Sequence, residues 1–385
     1  MRKATALLCL VLAACANAPV AWQRAVATTP SDAALLDDVE RRSFHFFWDL
    51  ADPHTQLVPD RWPTPSFSSI AAVGFGLTAY GIGAERGYVT REEAAERTRA
   101  TMQSLLAMKQ GPEARGVSGH HGFYYHFLDM KTGERFETVE LSTIDTALLV
   151  AGALFAQSYF DRDTPAEEQI RRDAETLYER VEWTWEEVRP HAVSMGWTPE
   201  NGFHTYDWRG YNEAMILVVL ALGSPTHPVE AEAWQAYHST DKWGTVYGQQ
   251  FVQFAPLFGH QYSEVWIDFR GIRDPVIATY GIDWFENSRR AVLARPPARV
   301  ANPGGRRDQA KPVVNLFNRD GVIGRTKGLH RAEEIAHAKP EEALPRQFPM
   351  IILVNEHSAS AAEIVAGSLK DNKRALIMGM RTYGK

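Results

Sequence analysis

Trp208-Arg209-Gly210-Tyr211-Asn212-Glu213-Ala214-Met215-Ile216-Leu217-Val218-Val219-Leu220 changes character at Glu213, where an aromatic, polar loop gives way to an unbroken apolar run. The run predicts a helix over Tyr211–Leu222 with Glu213 in its first turn, a carboxyl group between a decorated loop and an apolar helix. The same grammar extends on both sides. Ser31 can cap a helix carrying Leu36, Val39, Phe46 and Phe47 on one face, and Ser68 opens a second that stops before Gly87. Thr90 and Glu93 form a capping box for a third, closed by Gly111. A fourth is expected over Ser142–Tyr159, and Thr164-Pro165 starts a fifth with proline where its missing N–H costs nothing. Further helices are expected over Pro228–His238 and Ile282–Ala294. Helices of this length, joined by loops rich in Gly, His and Trp, suit a ring of helical hairpins better than a sheet protein.

The pattern stops near residue 302. All 11 Trp lie between Trp22 and Trp284, and Ala301-Asn302-Pro303-Gly304-Gly305 carries strong chain-breaking chemistry. Beyond it Pro349–Asn355 reads as a strand, Ala359–Lys370 as a helix and Arg374–Gly379 as a strand, a βαβ unit with the usual right-handed crossover. The expected architecture is therefore mainly α, then α/β.

The front of the chain reads as an address. Arg2 and Lys3 precede the apolar stretch Ala4–Ala14, whose 11 residues are too few for a bilayer span of ~20. Leu12-Ala13-Ala14-Cys15 resembles the lipobox of bacterial lipoproteins, which implies lipidation of Cys15, a membrane anchor without a spanning helix, and a periplasmic or outer-membrane location, with Ala16 fitting outer-membrane sorting. The alternative is a plain secretory signal cut near Ala18. Residues 1–15 are thus the signal and 16–35 a tether. Cys9 and Cys15 are the only cysteines, so the mature body has no disulfide, zinc cluster or thiol nucleophile. A formal charge of −6 gives no electrostatic case for nucleic acid. No metal or cofactor is expected, because the histidines lack an H-E-x-x-H or comparable ligand spacing.

Four loops carry the candidate chemistry. They contain His120, His121 and Tyr124; Gly196-Trp197 with Gly202-Phe203; Trp208, Arg209 and Asn212; and His260, Gln261 and Tyr262. Sugars present flat C–H faces and rings of hydroxyls, so their sites combine aromatic platforms with carboxylates, amides and imidazoles. Glycoside hydrolysis needs a protonated carboxyl group for the leaving oxygen and a second carboxylate. Glu213 is the candidate acid, since partial burial would raise its pKa; a helix-dipole or capping carboxylate is the structural alternative. Asp145 is the second candidate, with Glu140 and Glu137 upstream, although Ser142-x-x-Asp145 is also a capping-box pattern. Asp268 and Glu286 read as ordinary ion-pair partners.

Seven stretches carry a family resemblance: Arg42-Ser43-Phe44-x-Phe46-Phe47-Trp48, Gly74–Tyr80, Gly119–Phe127, Glu140–Leu148, Gly210–Ala214, Leu257–Ser263 and Phe285–Ala291. In this order they resemble the glycoamylase-like conserved domain, related to bacterial endo-β-1,2-glucanases and to domains of cyclic β-1,2-glucan synthases. The resemblance covers about 36–302. It implies an (α/α)6-type toroid with a glucan cleft, Glu213 as general acid, and a wall of the sugar site at Asp145. Family members continue past Asn302 with further helices and the acidic residue expected as base, so the toroid is expected to be incomplete.

From 303 to 385 the chain resembles the carboxyl-terminal processing (tail-specific) serine peptidases, in part of a crotonase-like core. The resemblance rests on Asn302-Pro303-Gly304-Gly305, Asp320–Ile323, Ser358–Gly367, Lys373–Leu376 and Thr382–Lys385. It implies Ser360 as nucleophile, Lys385 as general base and an oxyanion N–H from Gly304 or Gly305. Three functional readings follow: a β-glucan hydrolase-like envelope lipoprotein, a sugar-binding fusion without turnover, and a peptidase acting on polypeptide.

Overall fold

The computed structural model describes residues 30–63, 66–246, 248–254, 257–301, 313–328, 331–343, 350–354, 358 and 361–382. Cys15, most of the tether, Gly304, Gly305, Ser360 and Lys385 lie outside these residues. The chain forms two compact units, Met1–Ser239 and Thr240–Lys385. The compositional break at residue 302 falls inside the second.

The first unit contains α1 (Pro30–Asp49), α2 (Ile70–Glu85), α3 (Arg91–Ala107), α4 (Thr143–Tyr159), α5 (Pro165–Glu179), α6 (Met215–Leu222) and α7 (Glu232–His238). Helix α2 packs against α4 and α4 against α6, while α3 packs on α5. This division follows composition. Helices α2, α4 and α6 bury residues on nearly every side, whereas α5 buries one stripe that includes Ile170, Ala174 and Leu177. Gly74 and Gly152 let α2 and α4 touch backbone to backbone. A Cβ at Gly74 would stand 2.3 Å from the Leu148 carbonyl oxygen, and one at Gly152 would stand 2.1 Å from that of Gly74.

Three of the local start signals hold, whereas Ser31 falls inside α1, and α2 is preceded by Ser69 without a side-chain cap bond, Ser68 being in a strand. Thr90 and Glu93 form the reciprocal capping box, and the Ser142 and Thr164 side chains accept the N–H groups of Asp145 and Glu167. The boundaries move elsewhere: α3 ends at Ala107 rather than near Gly111, α6 begins at Met215 rather than Tyr211, and α7 begins at Glu232 rather than Pro228. The long connections before α2, α4 and α6 carry short strands that the sequence pattern does not announce. Ser68–Ser69 pairs with Phe127–Leu128, Gly119–His120 with Phe123–Tyr124, and Leu141–Ser142, Gly196–Thr198 and Gly202–Phe203 form one three-stranded sheet. Two-residue strands offer too little periodicity to be seen in sequence.

In the second unit the hairpin Trp243–Val246/Gln249–Val252 packs on α9 (Trp284–Ala301), which follows the short α8 (Pro275–Ala278). Phe251, Ala291 and Ala294 are buried together there, and Asn287 Oδ1 accepts the Val252 N–H at 2.9 Å. Farther on, Ile351–Val354 and Leu376–Gly379 pair in parallel and flank α10 (Ala361–Asp371), the βαβ unit expected. An additional antiparallel hairpin, Val322–Gly328/Arg331–His337, joins it around Val314, Ile323 and Leu369. No helix among the described residues is long and apolar enough to cross a membrane.

Candidate active site

The N-terminus of α4 organises a cluster of carboxylates. Ser142 caps the helix, accepting the Asp145 N–H at 3.3 Å and donating its hydroxyl to Asp145 Oδ2 at 2.5 Å. The capping alternative is therefore part of the answer for Asp145. The rest comes from His126, whose Nδ1 lies 2.7 Å from Glu140 Oε1 and whose Nε2 lies 3.6 Å from Asp145 Oδ2. In sequence His126 stands out only as part of the Gly119–Phe127 stretch. Its place between two carboxylates depends on backbone pairing, with the His126 N–H donating to the Glu140 carbonyl at 2.9 Å.

The electrostatics follow from burial and these partners. Burial raises the Asp145 pKa against the opposing pull of the His126 charge and the Ser142 hydroxyl, and the Glu140 and Asp60 charges add to the rise. Burial opposes charge on His126, but the bond to Glu140 and the charges of Asp145, Glu140 and Asp60 raise its pKa overall. Burial would raise Glu140 too, yet the His126 bond and charge hold it below the usual range. Glu140 and His126 thus form a bonded pair that favours each other's charged form, beside a buried aspartate.

Glu213 is half-buried and sits two residues before α6, not inside it. Burial raises its pKa, its own backbone N–H lowers it, and the Asp145 charge raises it again. A helix-capping carboxylate would be pushed the other way. Its position is set by Asn212, whose Oδ1 accepts the Ala214 N–H at 2.9 Å. The Tyr237 hydroxyl accepts the Asn212 N–H at 3.0 Å and donates to the Asn212 carbonyl at 2.9 Å. Asn212 is buried and occupied in this way, so it positions the neighbouring carboxyl group, where a sugar contact was expected.

The other loop candidates divide. Trp208 is half-buried and its Nε1 donates to Thr143 Oγ1 at 2.8 Å, tying this loop to the start of α4. Arg209 is exposed, with Nε 3.5 Å from Asp207. His121 Nδ1 is 2.8 Å from Glu182, and the His120 ring lies beside it with centroids 4.0 Å apart. Tyr124 departs from expectation. It is 1% exposed and its hydroxyl donates to the Leu105 carbonyl, so core packing takes the whole side chain. In the second unit His260 is 2% exposed, closed in against Phe251, which removes it from a ligand-facing role there. Gln261 is exposed, and Tyr262 leans on Phe258. Asp268 pairs with Arg270, and Glu286 with Arg289 and Arg290, the ordinary ion pairs expected. In sequence, Ser360 falls after the strand Ile351–Val354 and immediately before α10.

Two other features lie away from this chemistry. A groove of about 630 Å³ lined by His54, Gln103, Ser104, Lys109 and Glu134 shares no residue with the carboxylate cluster. Among the described residues, His191, Glu230 and Glu232 place possible metal-ligand atoms within 4.8 Å of one another. Both glutamates are exposed, and solvated carboxylates are ordinary surface chemistry.

The family described as "Putative glucoamylase" matches residues 205–306, and peptidase family S41 matches 301–385, so the two meet at the compositional break. The chain is 26% identical over 312 residues to an exo β-1,2-glucooligosaccharide sophorohydrolase from Parabacteroides distasonis, covering 71% of this chain and 41% of that protein. Over 84 residues it is 42% identical to a carboxy-terminal-processing protease from Bartonella bacilliformis, covering 22% of this chain and 19% of the protease. The chain thus spans less than half the length of either relative. A crystal structure described as a "putative glucoamylase" from Bacteroides uniformis matches with a TM-score of 0.64 and 27% identity, covering 72% of this chain and 68% of that one. The helical architecture falls in the glucoamylase-like α-toroid class, as expected.

Proposed function

We propose, for a chain that carries a glycoamylase-like domain related to β-1,2-glucanases and a peptidase family S41 segment, that the helical unit cleaves β-linked glucans, β-1,2-linked glucose polymers in particular. The observation that carries the reading is the contrast between two carboxyl groups linked through Asp145, whose charge acts on Glu213 and whose Oδ2 lies 3.6 Å from the His126 ring that bonds Glu140. Burial pushes Glu213 toward its protonated form, while the His126 pair keeps Glu140 ionised. A carboxyl group whose pKa is raised is the better proton donor of the two, which suits Glu213 to the role of general acid. Glu213 protonates the leaving oxygen as the glycosidic bond breaks, water bonds to the anomeric carbon and gives up its proton to solvent, and Asp145 or Glu140 holds the sugar beside it. The substrate in that relative's name, a β-1,2-glucooligosaccharide, supports the choice of linkage.

Release of reducing ends from β-1,2-glucooligosaccharides tests this directly. Glu213→Gln keeps the shape and removes the proton, so turnover should fall by about 10²-fold or more; cleavage at the parental rate would remove Glu213 from the role. Sugar binding without any reducing-end release by the parent chain would favour the binding-only fusion.

The envelope placement belongs to the same proposal. Lipidation at Cys15 would hold the glucanase unit at the periplasmic or outer-membrane face, and loss of radiolabelled palmitate on Cys15→Ala is the expected result. A second activity is favoured by the S41 match over 301–385 and by the parallel strands flanking α10. There Ser360 would attack a polypeptide carbonyl, Lys385 would take its proton, and Gly304 or Gly305 would face the oxyanion. Fluorophosphonate labelling that persists in Ser360→Ala would refute it.

A further inference from the structure

The sequence motifs do not include Trp185, yet four other half-buried aromatic rings gather round it, with the buried Phe123 6.4 Å away. Trp185 ends the short 3-10 helix Trp183–Trp185 between α5 and α6. His121 stacks on it with centroids 4.3 Å apart and planes 25° apart. Phe203 lies 4.9 Å away at 58°, His120 5.3 Å away at 78°, and Trp197 5.5 Å away at 62°. All five rings are half-buried. They differ in this from the core aromatics of the same unit, such as Phe123, Tyr124 and Trp183, which are at most 1% exposed.

The ledge is held from beneath. Trp183 is sealed in the core against Phe123, at 5.5 Å, and the Glu182 N–H donates to the His121 carbonyl at 3.0 Å. Gly122 has φ +82°, and a Cβ there would stand 2.1 Å from the Arg180 carbonyl oxygen, so the His121 turn is pressed onto the chain below. A preformed surface of this kind costs little ordering on binding.

Its rim is polar. The Glu182 carboxylate, 40% exposed, sits 2.8 Å from His121 Nδ1. Burial, and then the neighbouring His121 charge, hold the His120 pKa below its ordinary value, which leaves a neutral imidazole that both donates and accepts. Half-buried rings beside a carboxylate and a neutral imidazole match the C–H faces and hydroxyls of a pyranose. Trp197 also pairs with Leu141 in the three-stranded sheet, and Glu140 is the residue just before that strand.

We propose that the ledge formed by Trp185, His120, His121, Trp197 and Phe203, with Glu182 at its rim, is a glycosyl-binding subsite that takes one glucose unit of a neutral glucan. The choice of ligand rests on the glucanase reading; the ledge itself rests on the ring geometry. The ledge holds the sugar equally before and during bond cleavage, so it acts on affinity more than on turnover.

The test uses the full chain carrying Glu213→Gln, titrated calorimetrically with linear β-1,2-glucooligosaccharides. Adding Trp185→Ala should weaken binding at least about fivefold, while Trp185→Phe, which keeps a ring, should retain most of it. Thermal melting of each variant reports folding, and the phenylalanine variant keeps the comparison valid if the alanine variant melts early. Where the unsubstituted chain cleaves, Trp185→Phe and Glu182→Gln should raise KM more than they lower kcat. Undiminished affinity in a folded Trp185→Ala chain overturns the subsite and leaves the glucanase reading standing. Absence of glucan binding in the Glu213→Gln parent overturns both. Displacement of bound glucan by an arginine-rich peptide that quenches Trp185 would reassign the ledge to cationic peptide.

Discussion

Glu186, immediately after Trp185, is 0% exposed, and burial pushes its carboxyl group up from 4.5 to about 8, more than the Ser194 hydroxyl and the Arg189 charge pull it down. The folded chain therefore holds a proton that the unfolded chain surrenders near 4.5. Its stabilising contribution is fully present below that value and is lost as pH rises through about 8. Each tenfold change in proton affinity between the folded and unfolded chain is worth about 1.4 kcal/mol. The whole swing is then on the order of 5 kcal/mol, of which about 2 kcal/mol falls between pH 6 and pH 8. Glu186→Gln has nearly the same shape and cannot ionise. Urea unfolding followed by tryptophan fluorescence, at pH 6, 7 and 8, should show the parent losing about 2 kcal/mol more than the variant, at equal denaturant sensitivity. The difference between the two proteins cancels every other titrating group. Parallel pH dependence would refute the claim that this carboxyl group is folded in its neutral form.

Two further perturbations probe the frame around the candidate site. Gly74→Ala would drive a Cβ to 2.3 Å from the Leu148 carbonyl oxygen, a backbone atom that cannot rotate away. Separating α2 from α4 should cost about 1–3 kcal/mol and lower the calorimetric Tm by several degrees; an unchanged Tm would mean the helices have slack. His126 should titrate above its ordinary 6.5, because its bond to Glu140 and the surrounding carboxylates outweigh burial. The stability it contributes is present below 6.5 and is lost as pH rises through the raised value, and His126→Gln should flatten that limb. An imidazole NMR titration with a midpoint at or below 6.5 would contradict the bridge.

Some of the site was legible because its determinants are local. The Thr90–Glu93 box, the Ser142 cap and the proline start after Thr164 each involve residues one to three positions apart, and the backbone realises them in place. The half-burial of Glu213 followed from the apolar run behind it. Its offset from α6 did not, because Tyr237, 25 residues later, clasps Asn212 and holds the chain out of the helix.

Aromatic residues show the limit most clearly. Tyr124 and His126 stand two positions apart in one aromatic stretch, yet one is closed in the core and the other links Glu140 to Asp145. Trp183 and Trp185 divide the same way, one sealed in the core and one half-buried among other half-buried rings. The capped starts at Thr90, Ser142 and Thr164, the apolar or amphipathic character of each helix, and the switch to a βαβ pattern after residue 302 are properties of neighbouring residues, so the chain alone determines them. Which carboxyl group keeps its proton and which ring meets solvent depend on groups that only folding brings within a few ångströms, since burial and charge act through space and not along the chain.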